Sequence, residues 1–185
     1  MRIQKFITRV NMSKKYICGS EKYQIDGPDM DSIGLSVSID GLPKALIFND
    51  KKLFLKTSFH VTLFAIGKAI QRYNIAIPNF LAITTENFCE FTKEKNVELV
   101  RYRNEFRYCV EDNLQSIVVM CDVGNLDTFF QIINRKYGLK IEYPPTHVTL
   151  YSLPLNTGIF LTNSEDIKNL TKPIEIPSLA ASFRF

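Results

Sequence analysis

Two stretches of the chain, Phe59–Phe64 (FHVTLF) and Thr146–Tyr151 (THVTLY), share the tetrapeptide His-Val-Thr-Leu. They also contain the only two histidines of the sequence. A second histidine that repeats its three following residues by chance is expected on the order of once in a few thousand cases. The repeat is therefore the most specific signal in the chain, and the prediction of the fold starts from it.

Both stretches have the composition of β-strands, because β-branched and aromatic residues dominate them. Side chains alternate between the two faces of a strand, so His60 and Thr62 share one face, and His147 and Thr149 share one face. The apolar residues between them cover the opposite face and anchor each strand on a core. A buried imidazole or hydroxyl without a partner is costly, so we expect the polar face to meet water or a ligand.

Other segments complete an α+β pattern around the two motifs. Alternating or apolar runs predict further strands, and capping residues with apolar stripes predict helices. The predicted strands are Ile33–Ile39, Thr57–Ala65, Ser116–Val123, Thr146–Leu153, a hairpin of Val97–Tyr102 with Glu105–Val110, and Ile176–Phe185. The predicted helices are Asn125–Tyr137, Thr85–Lys95, Ser164–Leu170 and about Ala65–Asn74, the last weakened by Gly67.

A strand followed by a motif strand occurs twice along the chain, with the histidines 87 residues apart. We therefore predict an α+β fold of two pseudosymmetric lobes around a central cleft, each lobe an antiparallel sheet with flanking helices. The whole chain, 1–185, is predicted to be a single bilobal domain. Residues 1–30 form an N-terminal extension, and the lobes cover roughly 31–110 and 111–185 and are able to exchange strands. No helix between Gly41 and Lys52 matches the helix that begins at Asn125.

Composition excludes several classes of protein. With 45% hydrophobic and 23% charged residues, the chain is globular rather than disordered. No run approaches the roughly 20 apolar residues of a membrane span, so we expect no membrane association. The net charge of +4 permits an anionic substrate. The four cysteines form no C-x-x-C pair, and we expect reduced, packed thiols in a cytoplasmic, monomeric protein.

Two imidazoles and two hydroxyls on one surface suit phosphodiester chemistry. One neutral histidine can accept a proton from the attacking oxygen, while the other, protonated, donates one to the leaving oxygen. Threonine hydroxyls can hydrogen-bond the non-bridging oxygens as charge builds up. No cofactor is needed, and we expect no metal, because neither histidine has a carboxylate or cysteine at a helpful local spacing. The one D-x-D, Asp29-Met30-Asp31, is typical of a polar turn.

The paired motifs resemble those of the two-histidine (2H) phosphoesterase superfamily, whose signature is two hydrophobic–His–x–Thr/Ser–hydrophobic motifs roughly 80–100 residues apart. The resemblance covers about Ile33 to Leu153 and is expected to include the final strand. It implies RNA 2′,3′-cyclic phosphodiesterase or 2′,5′-phosphodiesterase activity on a nucleotide or RNA substrate. It also implies that His60, Thr62, His147 and Thr149 are the catalytic set.

Candidate substrate-binding residues follow from the same alternation of faces. Tyr151 and Phe64 are predicted to share the histidine faces and could stack on a base, while Lys56 and Arg107 could meet a second phosphate. For each of these residues a purely structural role is an equal alternative. An alternative function also stays open, that of a catalytically silent RNA- or nucleotide-binding module on the same scaffold. The basic and aromatic run from Arg101 to Tyr108 motivates it.

Overall fold

The computed structural model describes residues 15–27 and 29–183. These residues form ten strands and five helices. In chain order the elements are β1 (Lys15–Ile17), β2 (Ser20–Asp26), β3 (Ser32–Val37), β4 (Ala45–Phe48), β5 (Lys51–Leu55), β6 (Phe59–Ala65), α1 (Ile66–Arg72), α2 (Phe80–Glu94), β7 (Glu98–Glu111), β8 (Leu114–Gly124), α3 (Leu126–Tyr137), β9 (His147–Leu153), α4 (Ser164–Leu170), β10 (Thr171–Ile174) and α5 (Pro177–Ala180).

The strands form one sheet with the order β1-β2-β3-β6-β9-β8-β7-β10, and the β4–β5 hairpin joins it through β5 and β9. Each of these pairs is antiparallel. The two motif strands, β6 and β9, are neighbours at its centre. The α+β class is confirmed, but one continuous sheet replaces the predicted separate sheet in each half.

The two faces of the sheet are covered unequally. The main core contains Val61, Leu63, Val148 and Leu150 together with aromatic residues of α2 and α3, so these helices pack on the face that Val61 and Val148 share. A smaller cluster on the other face joins apolar residues of β7 and β8 to the segment before α4. Its buried members are Cys109, Val118, Met120, Ile159 and Leu161. The second face is therefore covered over β7 and β8.

Most elements predicted from the sequence are present within a few residues of the expected bounds. The four strands predicted from alternation correspond to β3, β6, β8 and β9, and the helix predicted at Ser164–Leu170 is α4. Asn163 caps α4, because its side-chain oxygen accepts a hydrogen bond from the amide of Asp166 at 2.9 Å. None of the helices within residues 15–27 and 29–183 is long and apolar enough to cross a membrane.

Two predicted strand features are wrong. The expected hairpin around Arg103-Asn104 is a single long strand, β7, because its pairing with β8 continues on both sides of a register shift between Tyr102 and Phe106. Arg101 and Arg103 both pair with Asp122 of β8. The expected final strand is the short helix α5, which begins at Pro177. Phe183 then packs edge-on against Tyr102 and Phe106. The last two residues, 184–185, lie outside the described residues.

The segment treated as an N-terminal extension belongs to the sheet from Lys15 onward. Its residues form β1 and β2, and β2 pairs with β3. Tyr23 of β2 is buried, and its hydroxyl donates a 2.8 Å hydrogen bond to the carbonyl of Val97. Residues 1–14 lie outside the described part of the chain. In the first half, the β4–β5 hairpin occupies the position in the chain at which the second half has α3.

The cysteines divide into two kinds. Cys109 and Cys121 are buried free thiols, as predicted, and burial raises the pKa of each to about 12, so both are protonated. The prediction of reduced thiols is wrong for the other two, because Cys18 and Cys89 form a disulfide. This bond ties the β1–β2 turn to α2 across 71 residues of chain.

Gly67, the residue that lowers the helix propensity of α1, lies where Asp31 approaches the first turn of the helix closely. The amide of Gly67 donates to the carbonyl of Asp31 at 3.2 Å. The carboxylate of Asp31 occupies the space that a Cβ at position 67 would need. Only glycine at position 67 lets Asp31 keep this position. The second aspartate of the D-x-D sequence therefore packs against the first turn of α1.

We expect Gly67→Ala to lower the free energy of unfolding by about 1–3 kcal/mol, because the added methyl group overlaps Asp31. Urea denaturation measures this change. Gly158→Ala is the matched control, since nothing lies within 4 Å of a Cβ there, and it should cost less than about 0.5 kcal/mol. In an Asp31→Ala background, Gly67→Ala should change the free energy of unfolding very little. An equal loss of stability with and without Asp31 would show that the overlap with Asp31 is not the cause.

We expect the double variant Cys18→Ala/Cys89→Ala to be less stable than the wild type by about 4 kcal/mol, the entropic value for a loop of this length. Urea denaturation with and without reductant measures it. Reductant should destabilise the wild type and leave the double variant unchanged. Cys109→Ala provides the control that retains the bond, and a wild type insensitive to reductant would show that the disulfide carries no stability.

Candidate functional site

The pairing of β6 with β9 brings the two motifs together. Val61 lies directly opposite Val148, and both are fully buried. In an antiparallel pair the register continues residue by residue, so His60 faces Thr149 and Thr62 faces His147. The four polar side chains therefore share the face opposite the two valines. The histidines are diagonal neighbours, and such residues are about 7–8 Å apart, with a somewhat shorter distance between their Cβ atoms.

A β-bulge follows the threonine of each motif. In β6, Thr62 pairs with Gly34 and Phe64 with Ile33, so Leu63 is an extra residue. In β9, Thr149 pairs with Val118 and Tyr151 with Ile117, which makes Leu150 the extra residue. The two motifs therefore share a backbone feature, a bulge at the same position, as well as a sequence. Each bulge reverses the alternation of faces in the residues that follow it.

The two following aromatic residues were predicted to share the histidine face, and the bulges correct this for Tyr151, whereas Phe64 lines a pocket together with Thr62 and His147. Tyr151 has no exposed surface, its hydroxyl donates to the carbonyl of Pro43 at 2.9 Å, and burial raises its pKa to about 12. Its ring therefore has no surface to offer a base. Phe64 is also buried and packs against Phe130, with ring centroids 4.8 Å apart. Both aromatic residues are core residues of the main cluster.

His147 is almost enclosed, with 7% of its surface exposed. Its Nδ1 lies 2.8 Å from the carbonyl oxygen of Pro145, which can only accept, so Nδ1 carries the proton and Nε2 is the basic nitrogen of the neutral ring. Burial lowers the pKa of His147, outweighing the hydrogen bond to Pro145, which opposes this shift. The start of β9 is fixed by Thr146, whose hydroxyl donates to the carbonyl of Cys121 at 2.6 Å.

His60 has a more open environment. Its side chain is 23% exposed, and its Nδ1 lies 3.1 Å from Oδ2 of Asp26, whose side chain is 32% exposed. The ring extends over Gly34, since its Cδ2 is 3.6 Å from the position that a Cβ of Gly34 would take. Sequence reasoning missed Asp26 because it lies in the segment interpreted as an extension. The alternation of β2 was the only signal that could have placed it beside the motif.

A pocket lies next to the Thr62–His147 pair, and we call it the His147 pocket. Most of its wall is apolar and comes from α1, α3, the segment before β9 and the segment before α4. The residues that line it are Thr62, Phe64, Ala65, Ala69, Tyr73, Phe130, Ile141, Glu142, Pro144, His147, Ile159, Phe160, Leu161 and Thr162. Thr62 and His147 therefore meet in this pocket, while His60 and Thr149 lie beside it on the same face.

An ion pair between α1 and α4 supports Thr162, one of the residues that line the His147 pocket. Asp166 of α4 is buried and accepts two hydrogen bonds from Arg72 of α1, at 2.8 and 3.1 Å. Burial alone would raise the pKa of Asp166, but the bonds from Arg72 and Thr162 hold it below its usual value. The pair joins α1 to α4 and fixes Thr162, which lines the pocket.

Lys56 and Arg107, the predicted phosphate contacts, make structural interactions. The ammonium of Lys56 contacts the carbonyl oxygens of Asn156 and Thr157, at 3.5 and 3.2 Å. Arg107 has its side chain 14% exposed and donates to Glu105 and Thr171. Across the sheet it is opposite Val118, which is opposite Thr149. Arg107 is therefore three strand spacings, about 14 Å, from His60.

No three side chains of His, Cys, Asp or Glu in the described ranges are grouped so that they could hold a metal ion. Comparison of the chain with protein-family models, with curated proteins and with solved structures finds no significant match in any of the three.

The low pKa of His147 predicts a pH dependence of stability. The folded protein binds fewer protons at His147 than the unfolded chain, whose histidines titrate near 6.5. The free energy of unfolding should therefore fall as the pH falls below 6.5, by at most about 1.4 kcal/mol per pH unit. Urea denaturation of the wild type and two variants at several pH values measures this.

His147→Asn keeps a donor near the Nδ1 position and should lose this component of the pH dependence. His60→Asn is the matched control and should retain it. If the wild type and His147→Asn lose stability in parallel between pH 7.5 and 5, His147 is not the group responsible.

Proposed function

We propose that this protein is a metal-independent phosphodiesterase that cleaves a nucleotide or RNA phosphodiester by general acid–base catalysis with two histidines. The observation that carries the proposal is the register of β6 with β9, which gives two imidazoles and two hydroxyls a common face. The substrate classes, a 2′,3′-cyclic phosphate or a 2′,5′ linkage, come from the resemblance of the paired motifs to the 2H phosphoesterases. We also propose that the two halves of the chain are related by pseudosymmetry, and the equivalent bulges in β6 and β9 support this.

The two histidines have environments that suit different roles. His147 is neutral because burial lowers its pKa, and its Nε2 can accept a proton, so we assign it as the general base. His60 has a carboxylate at ion-pair distance from Nδ1, so we assign it as the general acid in its imidazolium form. Thr62 and Thr149 would donate hydrogen bonds to the non-bridging oxygens.

The proposed hydrolysis balances without a further reactant. The attacking water loses a proton to Nε2 of His147 as its oxygen bonds to phosphorus. The bond from phosphorus to the leaving ribose oxygen breaks, and His60 donates a proton to that oxygen. His147 ends protonated and His60 neutral, and exchange with solvent restores both.

Hydrolysis in excess EDTA tests the proposal, with 2′,3′-cyclic, 2′,5′-linked, 3′,5′-linked and cyclic oligonucleotide substrates and analysis of the products. His60→Ala and His147→Ala should each lose at least about 10²-fold in kcat/KM. Thr62→Val and Thr149→Val should lose up to about 10²-fold. Thr128→Val, a change at a half-buried position on α3, is the control and should behave as the wild type. The rate should fall as His147 becomes protonated, with a midpoint below 6.5.

Full activity in both histidine variants would exclude the assignment. Tight nucleotide binding without turnover of any substrate would instead identify the silent binding module. Activity that disappears in EDTA and returns with a divalent cation would show that the chemistry is not metal-independent.

A further inference from the structure

Asp26 stands out because its carboxylate lies at ion-pair distance from a catalytic candidate, yet it lies outside both motifs. It ends β2, two strands away from β6 in the sheet. Its Oδ2 is 3.1 Å from Nδ1 of His60. The missing side chain of Gly34, on the strand between them, leaves the space over which the ring reaches.

The carboxylate of Asp26 is held in place by other hydrogen bonds. Its Oδ1 accepts from the amide of Gly27 at 2.7 Å, and its Oδ2 accepts from the side-chain amide of Gln24 at 3.0 Å. Gln24 is fully buried, and its own oxygen accepts from the hydroxyl of Ser36 at 3.2 Å. A buried amide with both ends bonded has one orientation, so Asp26 is presented to His60 in a fixed position.

The neighbours of His60 on the adjoining strands carry no charge. Ser36 of β3 lies opposite it on one side, and Thr149 of β9 lies opposite on the other. His147, in contrast, has a neutral carbonyl as the partner of its Nδ1 and lies in an apolar pocket. The two motifs are alike in sequence, but the group next to Nδ1 is a carboxylate for His60 and a neutral carbonyl for His147.

We propose that Asp26 is a positioning residue that favours the imidazolium form of His60, with Nε2 as the nitrogen that donates the proton, and thereby sets the direction of the reaction. This inference rests on the proposed phosphodiesterase function. A carboxylate at ion-pair distance from Nδ1 favours the charged form of the ring. The leaving oxygen then lies on the β3 side of the site, at His60, and the attacking oxygen lies on the side of the His147 pocket.

The test compares Asp26→Asn with the wild type on two esters of one nucleoside. One ester has a ribose oxygen as the leaving group, and the other has p-nitrophenolate, which leaves without receiving a proton. Asp26→Asn should lose at least about tenfold in kcat for the first ester, with little change in KM, and less than about threefold for the second. His60→Ala should show the same selective loss, larger in size. Asp112→Asn, on the β7–β8 turn, is the matched control.

A second measurement does not depend on turnover. The chain has two histidines, so the ¹⁵N-histidine NMR spectrum reports two titrations, which His60→Ala assigns. In Asp26→Asn the midpoint of the His60 titration should move to lower pH by about one unit, while that of His147 stays in place. Asp26→Glu, which keeps the charge, should restore part of the shift.

The outcomes separate the two proposals. If His60→Ala keeps full activity, the phosphodiesterase proposal fails. If His60→Ala is inactive but Asp26→Asn matches the wild type on both esters, only the positioning role fails. An equal loss on both esters would show that Asp26 supports the fold rather than proton donation. An unmoved His60 titration in Asp26→Asn would overturn the inference whatever the activity.

Discussion

The pairing of Val61 with Val148 at the centre of the sheet is the contact on which the site depends. Both side chains are fully buried between the sheet and α2 and α3. Because faces alternate with period two, burying these valines presents the flanking histidines and threonines on the other side. A slip of one residue would bury two imidazoles and expose the core residues. The hydrophobic requirement of one face therefore specifies the polar arrangement of the other.

Unequal cover on the second face makes the two motifs chemically different. Ile159 and Leu161 pack over β8 and line the pocket that encloses His147, so its imidazole is desolvated and neutral. His60, on β6, lies next to β3 and Asp26 and stays partly exposed. Two copies of one tetrapeptide thus have environments that suit a base and an acid. The difference comes from packing and charge around the motifs and not from the motifs themselves.

The sequence predicted most elements but not the interruptions within them. The alternation of apolar and polar residues predicted β3, β6, β8 and β9, because the pattern of an amphipathic strand is visible within a few residues. The same argument misplaced Tyr151, since a bulge after Thr149 reverses the faces, and it did not foresee that Phe64 is buried after the equivalent bulge in β6. Bulges depend on the pairing of a strand with its neighbour, which no local pattern records. The disulfide of Cys18 with Cys89 was missed for the same reason, as it joins distant elements.

Sequence alone determined the α+β class, the two His-x-Thr strands and the face that each histidine shares with its threonine. These properties follow from residue type and from the period of a strand, both of which are local. Tertiary structure decided that the two strands are neighbours, that His147 is enclosed and that Asp26 lies beside His60. Those properties depend on register, on the cover from remote segments and on the desolvation it causes, and they exist only once the chain has folded.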